Sequence, residues 1–235
     1  MTAPDIAKRG AALLAAGRAQ AAIDLMVAGA KAGDGEALHE LALWHVYGTP
    51  IPRDFAAART LFGRSGDAGH AAGALTHAVF VAMGAGGRAD WAEARALLEK
   101  AARTDPVAAR QADLIAEMAL NADGTPTAVL PIEVLSASPQ VAVARALLSP
   151  DEGAHVAALS RPKLTPSIVV DSRTGREAPH PIRTSEGTVL GPIQQDLVIH
   201  ALNLRIAAVT GTGVRQGEPP SVLSYAPGQQ YRLHH

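Results

Sequence analysis

Sliding the chain by 36 positions lays its first half on itself. Gly48 falls on Gly84, Asp54 on Asp90, Phe55 on Trp91, Ala56 on Ala92, Ala58 on Ala94, Arg59 on Arg95, Leu61 on Leu97 and Phe62 on Leu98. The same shift carries Leu61 and Phe62 back to Leu25 and Met26, and Ala72 forward to Ala108. A period of this length with small residues at fixed places marks stacked helix pairs, each too small to bury its own apolar face alone. Ala42, Ala58, Ala78 and Ala94 let neighbouring helices approach, while Leu61, Phe62, Leu97 and Leu98 fill the space between pairs. Phe55 and Trp91 anchor the starts of equivalent helices.

The pattern does not run to the end. Only Pro4, Pro50, Pro52 and Pro106 of the 16 prolines precede residue 121, and beyond it the Ala-rich amphipathic stretches give way to short strand and turn signals. The expected organisation is a helical repeat region over 1–121, a polar connection over 122–138 and a second domain over 139–235. Composition narrows the functional classes. A 48% hydrophobic, 18% charged chain excludes disorder and shows no membrane span. Twenty-one basic against 22 acidic residues, without a basic stripe, leave no footprint for nucleic acid. Absence of Cys removes disulfides, thiolate catalysis and Cys-based zinc sites. With the apolar patch 11–16 interrupted by Arg18 and no cleavage signal after it, the chain reads as cytoplasmic.

The repeat stands most fully as Ala30-Lys-Ala-Gly33-Asp34-Gly-Glu-Ala37-Leu-His-Glu-Leu41-Ala42-Leu-Trp-His-Val-Tyr47-Gly48. It resembles the Sel-one-like repeats, relatives of the tetratricopeptide repeat, over roughly residues 20 to 118. A second copy has Gly73, His77 and Met83 where the first has Ala37, Leu41 and Tyr47. The resemblance implies an α-solenoid with a surface for a protein partner. The alternative is a small array that serves only as a scaffold.

In the second half, Ser149-Pro150-Asp151-Glu152 predicts a helix start with a capping box, running to about Ala158. Ile168 to Asp171 reads as a strand ended by the Thr174-Gly175 turn, and Ile182 to Ser185 as a short extended segment. Ile193 to Thr210 reads as a helix. Ser221 to Tyr225 and Gln230 to His234 read as strands around a Pro-Gly turn.

These segments, in this order, resemble the prolyl 4-hydroxylases among the iron(II) and 2-oxoglutarate dependent dioxygenases. The carrying residues are Arg161-Pro-Lys-Leu164-Thr-Pro166-Ser167, Val170-Asp171, Ile182-Arg183-Thr184-Ser185-Glu-Gly187 and Leu204-Arg205-Ile206. They continue as Glu218-Pro-Pro-Ser-Val222-Leu223-Ser-Tyr225-Ala-Pro-Gly228-Gln-Gln-Tyr231-Arg-Leu-His234. The implied fold class is a multidomain α plus α+β chain: the solenoid of helix pairs, then an incomplete double-stranded β-helix, or jelly-roll, domain. The implied activity is hydroxylation of a prolyl residue in a peptide or protein, with iron(II), oxygen, 2-oxoglutarate and ascorbate, giving succinate and carbon dioxide.

By that resemblance His234 is the first metal ligand of an H-x-D pair and His235 its variable neighbour. Tyr225 lies near 2-oxoglutarate; Arg183, Ser185, Glu218 and Tyr231 contact the substrate peptide. On a strand, H-x-D spacing puts both ligands on one face, and two imidazoles with one carboxylate leave positions open for oxygen and the keto acid. The aspartate would fall one residue past His235, so the expectation is of a fragment, or a record cut short, that is inactive as it stands. The alternative function is a non-catalytic interaction scaffold with a remnant dioxygenase domain. His180 reads as a loop residue, and His39, His45, His70, His77, His155 and His200 as structural or surface groups. Gly211-Thr-Gly213 fails the dinucleotide-binding pattern and reads as a helix stop.

Overall fold

Side-chain caps 36 and 35 residues apart explain where three of the first seven helices begin. In the computed structural model, which describes residues 6–171, 173–180 and 182–233, Asp34, His70 and Asp105 precede α3 (Gly35–Tyr47), α5 (Ala71–Met83) and α7 (Pro106–Glu117). Each cap accepts a hydrogen bond from a backbone N–H three residues on, at Ala37, Gly73 and Ala108. Arg18, Asp54 and Asp90 precede the intervening helices α2 (Ala19–Lys31), α4 (Phe55–Asp67) and α6 (Trp91–Ala102). An additional helix, α1 (Ile6–Ala15), opens the array. Consecutive helices from α1 to α7 pack on one another, and α3 also touches α1 and α5.

The repeat determines the core. Ala22, Ala58 and Ala94 are fully buried at equivalent places, as are Met26, Phe62 and Leu98. Small side chains at the first set let the helices close; large ones at the second fill what remains. Phe62 meets Phe80 edge-on at 5.0 Å between ring centroids. Gly48 and Gly84 end α3 and α5 in the left-handed conformation, with φ of 76° and 70°, which explains why glycine recurs there. One expected superposition fails: Ala108 is buried but Ala72 is exposed. The 12-residue α6 is one residue shorter than α4, so the buried position equivalent to Ala108 is Gly73.

The chain forms two units: Met1–Ala128 with Asp196–Leu204, and Val129–Gln195 with Arg205–His235. The division runs through α9 (Leu197–Thr210). In the first unit, residues 197–202 are buried and apolar except His200, and Asp196 accepts a hydrogen bond from the Ile199 N–H at 3.0 Å. That cap sets the start of α9 at Leu197 rather than at the expected Ile193.

Among the described residues the second unit contains three small antiparallel sheets. β1 (Ile132–Ala137) pairs with β2 (Gln140–Ala144), with an irregularity between Val134 and Ser136. This hairpin begins inside the segment read as a polar connection over 122–138. Nearly every β1 residue is exposed, so the strand lacks the apolar alternation that marks a half-buried one. β4 (Ile168–Val170) and β5 (Glu177–Pro179) form the hairpin whose turn contains Gly175, at φ 67°. β6 (Glu186–Val189) lies between the two-residue β3 (Thr165–Pro166) and β7 (Ser221–Ser224). Among the described residues these strands close no barrel. Of the expected strand over 230–234, the described residues show a bridge at Tyr231, and His234 lies outside them.

The predicted capping box is present. α8 (Pro150–Ser160) starts with the Ser149 hydroxyl accepting from the Glu152 N–H and the Glu152 carboxylate accepting from the Ser149 N–H. Glu152 then takes both Nη groups of Arg205 at 2.7 Å, and Arg205 also donates to the Leu147 carbonyl. Burial opposes ionisation of Glu152, but the hydrogen bonds from Arg205 and Ser149 outweigh it and hold the pKa below the usual value.

Candidate functional site

Three residues expected at a peptide surface gather around Ser167 in the second unit. Arg183 bridges Tyr231 in antiparallel fashion, and flanking bonds run from Thr184 N–H to the Gln230 carbonyl at 3.1 Å and from Arg232 N–H to the Ile182 carbonyl at 2.9 Å. The two extended segments therefore place the Arg183 guanidinium over the Tyr231 ring, 5.8 Å from its centroid. The Nε of Arg183 donates to the Ser167 hydroxyl at 3.1 Å. Ser185 lies on the same face of its extended segment as Arg183. Its shorter side chain is fully buried, with its oxygen 3.4 Å from that of Ser167. As folded here, the Ser185 hydroxyl faces Ser167 rather than a peptide surface.

His180 organises the approach to this cluster. Its N–H donates to the Ser167 carbonyl at 2.9 Å, and its Nδ1 accepts from the Ile182 and Arg183 N–H groups at 3.2 and 3.0 Å. The Nδ1 role assigns the remaining ring proton to Nε2 in the neutral form. Ser167 stands in a segment that carries the resemblance but has no role of its own there, and His180 carries no signal beyond that of a loop residue, because each acts through a neighbour's backbone or side chain.

The other expected site residues are separate from that cluster. Tyr225 follows β7 and is 44% exposed, beside a turn in which Gln229 N–H donates to the Ala226 carbonyl and Gly228 takes a φ of 86°. Glu218 is exposed in the loop before β7. His234, the expected metal ligand, lies outside the described residues. Among the described residues, no group of three or more His, Cys, Asp and Glu side chains is placed to hold a metal ion. The described residues therefore do not by themselves fit iron(II).

The helical unit has polar features of its own. The His39 and His70 rings lie 4.8 Å apart, tilted by 44°, and burial pushes the His39 pKa down to about 4, with His70 adding to the effect. Burial likewise lowers His200 to about 4, against an opposing hydrogen bond with the Ala82 backbone; its ring lies 6.1 Å from that of Trp91. Burial thus disfavours the charged form of these imidazoles. A cavity of about 360 Å³ opens between α4, α5 and α6, with Gly63, Gly66, Ala74, His77, Leu97 and Ala101 among its walls. Lys100 and Asp67, ion-paired at 3.0 Å, also line it.

Over its C-terminal 44% the chain is similar to plant prolyl 4-hydroxylases. It is 38% identical over 104 residues to Prolyl 4-hydroxylase 1 of Arabidopsis thaliana, covering 37% of that protein. It is 36% identical over 104 residues to Prolyl 4-hydroxylase 5 of the same plant, covering 35% of it. The chain thus spans little more than a third of the length of these relatives. Among solved structures, a Sel1 repeat protein from Oxalobacter formigenes is similar over 40% of this chain and 39% of its own, at 20% identity and a TM-score of 0.37. No family model matches the chain. Among the described residues no helix is long and apolar enough to cross a membrane.

Proposed function

We propose that this chain is part of an oxidoreductase of the prolyl 4-hydroxylase type, acting on a prolyl residue of a peptide or protein. The observation that carries the reading is the 38% identity over 104 residues to a plant prolyl 4-hydroxylase. Iron(II), oxygen and 2-oxoglutarate, with ascorbate, come with that reading by kinship alone. Tyr225 is assigned to the 2-oxoglutarate side of the site, Glu218 to the substrate and His234 to the metal on the same ground.

What this chain's own residues contribute is peptide binding. A proline-rich segment offers carbonyl acceptors but lacks an N–H at each proline, so a donor-only guanidinium suits it. Arg183 spends its Nε on Ser167, which leaves the two Nη groups to face such carbonyls, and the half-exposed Tyr231 ring supplies a flat apolar surface beside them. Calorimetric titration of the chain with a ten-residue polyproline peptide tests this. Binding weakened about tenfold or more by Arg183→Ala supports the assignment. Binding that Arg183→Ala leaves untouched removes it.

The helical repeats are assigned to a protein partner, with the cavity between α4, α5 and α6 as the feature that favours this over a purely scaffolding role.

A further inference from the structure

We infer that Ser167 is a positioning residue: it locks the Arg183 side chain so that its outer nitrogens meet the peptide in one orientation. The inference rests on the peptide-binding reading above and adds a residue to it.

An arginine on a surface segment samples many rotamers, and immobilising it costs roughly 2 kcal/mol of side-chain freedom. That cost falls on ligand binding unless the protein has met it beforehand. Here three constraints meet it. The Tyr231 ring lies beside the guanidinium, 5.8 Å from centroid to Cζ. The Ser167 hydroxyl accepts from Nε, the one nitrogen on the inner side of the fork. The backbone of Arg183 is held by His180 Nδ1 and by the bridge to Tyr231.

Ser167 is itself fixed from several directions. Its N–H donates to the Ser185 carbonyl at 3.0 Å, and its carbonyl accepts from His180 N–H at 2.9 Å. Its hydroxyl, already accepting from Arg183, can turn its own proton toward the buried Ser185 oxygen, 3.4 Å away. A buried serine thus sets the direction of a half-buried one, and the half-buried one sets the direction of the arginine.

The experiment uses the whole chain and two readouts. Relaxation of the Arg183 Nε–Hε group by ¹⁵N NMR reports its order directly, and calorimetry with the ten-residue polyproline peptide reports its consequence. Ser167→Ala should release the Nε group and weaken peptide binding about tenfold, the equivalent of part of that rotamer freedom, since the Tyr231 ring still restrains the side chain. Ser167→Thr, which keeps the hydroxyl, should restore both, and circular dichroism melts check that both variants fold. Combined with Arg183→Ala, Ser167→Ala should add nothing further.

An Nε group equally ordered with and without the hydroxyl overturns the inference, even if Arg183→Ala abolishes binding and the peptide reading stands. If the wild-type chain binds no polyproline, the peptide reading fails. The relaxation comparison then decides Ser167 by itself: release by Ser167→Ala supports its hold on Arg183, and unchanged order refutes it.

Discussion

In the helical unit every third of the array repeats the same buried pair of positions, Ala22 with Met26, Ala58 with Phe62 and Ala94 with Leu98. In the second unit the strands behave otherwise: Val134, Leu135, Val170 and Val189 are all more than half exposed. The first unit draws its stability from apolar contacts between helices adjacent in sequence. The second depends to a greater degree on polar devices: the capping box and ion pair at Glu152, the turns at Asp171 and Ala226, and the Ser167–Arg183 cluster. Residues that recognise ligands are commonly carried by thinly packed segments supported by such devices, because their side chains must stay available. On the proposed function, the residues assigned to the peptide lie on the thinly packed segments of the second unit, while the first is held by its repeated apolar core.

The largest effect should come from the helical core. Phe62→Ala removes a fully buried ring from between the Phe80 and His39 rings and should cost about 3–5 kcal/mol in urea unfolding. Tryptophan fluorescence reads this unit alone, since Trp44 and Trp91 both belong to it. A cost below about 1 kcal/mol would mean that the repeat core is not what holds the unit.

Next, Glu152→Ala should destabilise the second unit by about 3 kcal/mol. It leaves Arg205, whose side chain is 15% exposed, without its carboxylate partner and deletes half of the capping box. Tyrosine signals from Tyr225 and Tyr231 and amide exchange across α8 measure it. A loss no greater than that of an exposed ion pair would mean that the second unit does not depend on this polar device.

Acid should separate the units by window. His39 and His200 have folded pKa values of about 4 against 6.5 unfolded, so between those values the unfolded chain binds more protons and stability falls as pH falls. His200 alone should account for a loss on the order of 2–3 kcal/mol across that window. Glu152, also depressed, contributes stability that is intact above 4.5 and lost only as pH drops through its lower folded value. Urea melts at pH 7 and pH 5 should therefore show the tryptophan-reported transition weakened first. A His200→Gln variant with an unchanged pH response would contradict the assignment.

The contrast between the units also explains what could be read in the sequence. Helix pairing was legible because Gly48 and Gly84, Asp54 and Asp90, and Ala58 and Ala94 perform the same tasks at a fixed spacing. The single-residue slip at α6 was not, since nothing in the pattern distinguishes a 13-residue helix from a 12-residue one before Asp105 caps the next. Turns fixed by local chemistry were legible as well: Thr174-Gly175, Pro227-Gly228 and the stop at Gly211. The β1–β2 hairpin was hidden because its apolar residues face outward on both sides and so leave no period. At the candidate site, Arg183, Ser185 and Tyr231 were named from kinship, but the burial of Ser185 and the central place of Ser167 depend on the pairing of 182–184 with 230–232, a contact across almost fifty residues that no local pattern encodes.

The most direct test of the account is oxygen transfer. The whole product of the gene encoding this chain, supplied with iron(II), ascorbate and 2-oxoglutarate, should add one oxygen atom to a prolyl residue of a proline-rich peptide, with succinate formed in step, both read by mass spectrometry. Arg183→Ala should raise the peptide KM more than it lowers kcat. Succinate formation without hydroxyproline on any prolyl peptide, or no dependence on 2-oxoglutarate at all, would contradict the proposed function.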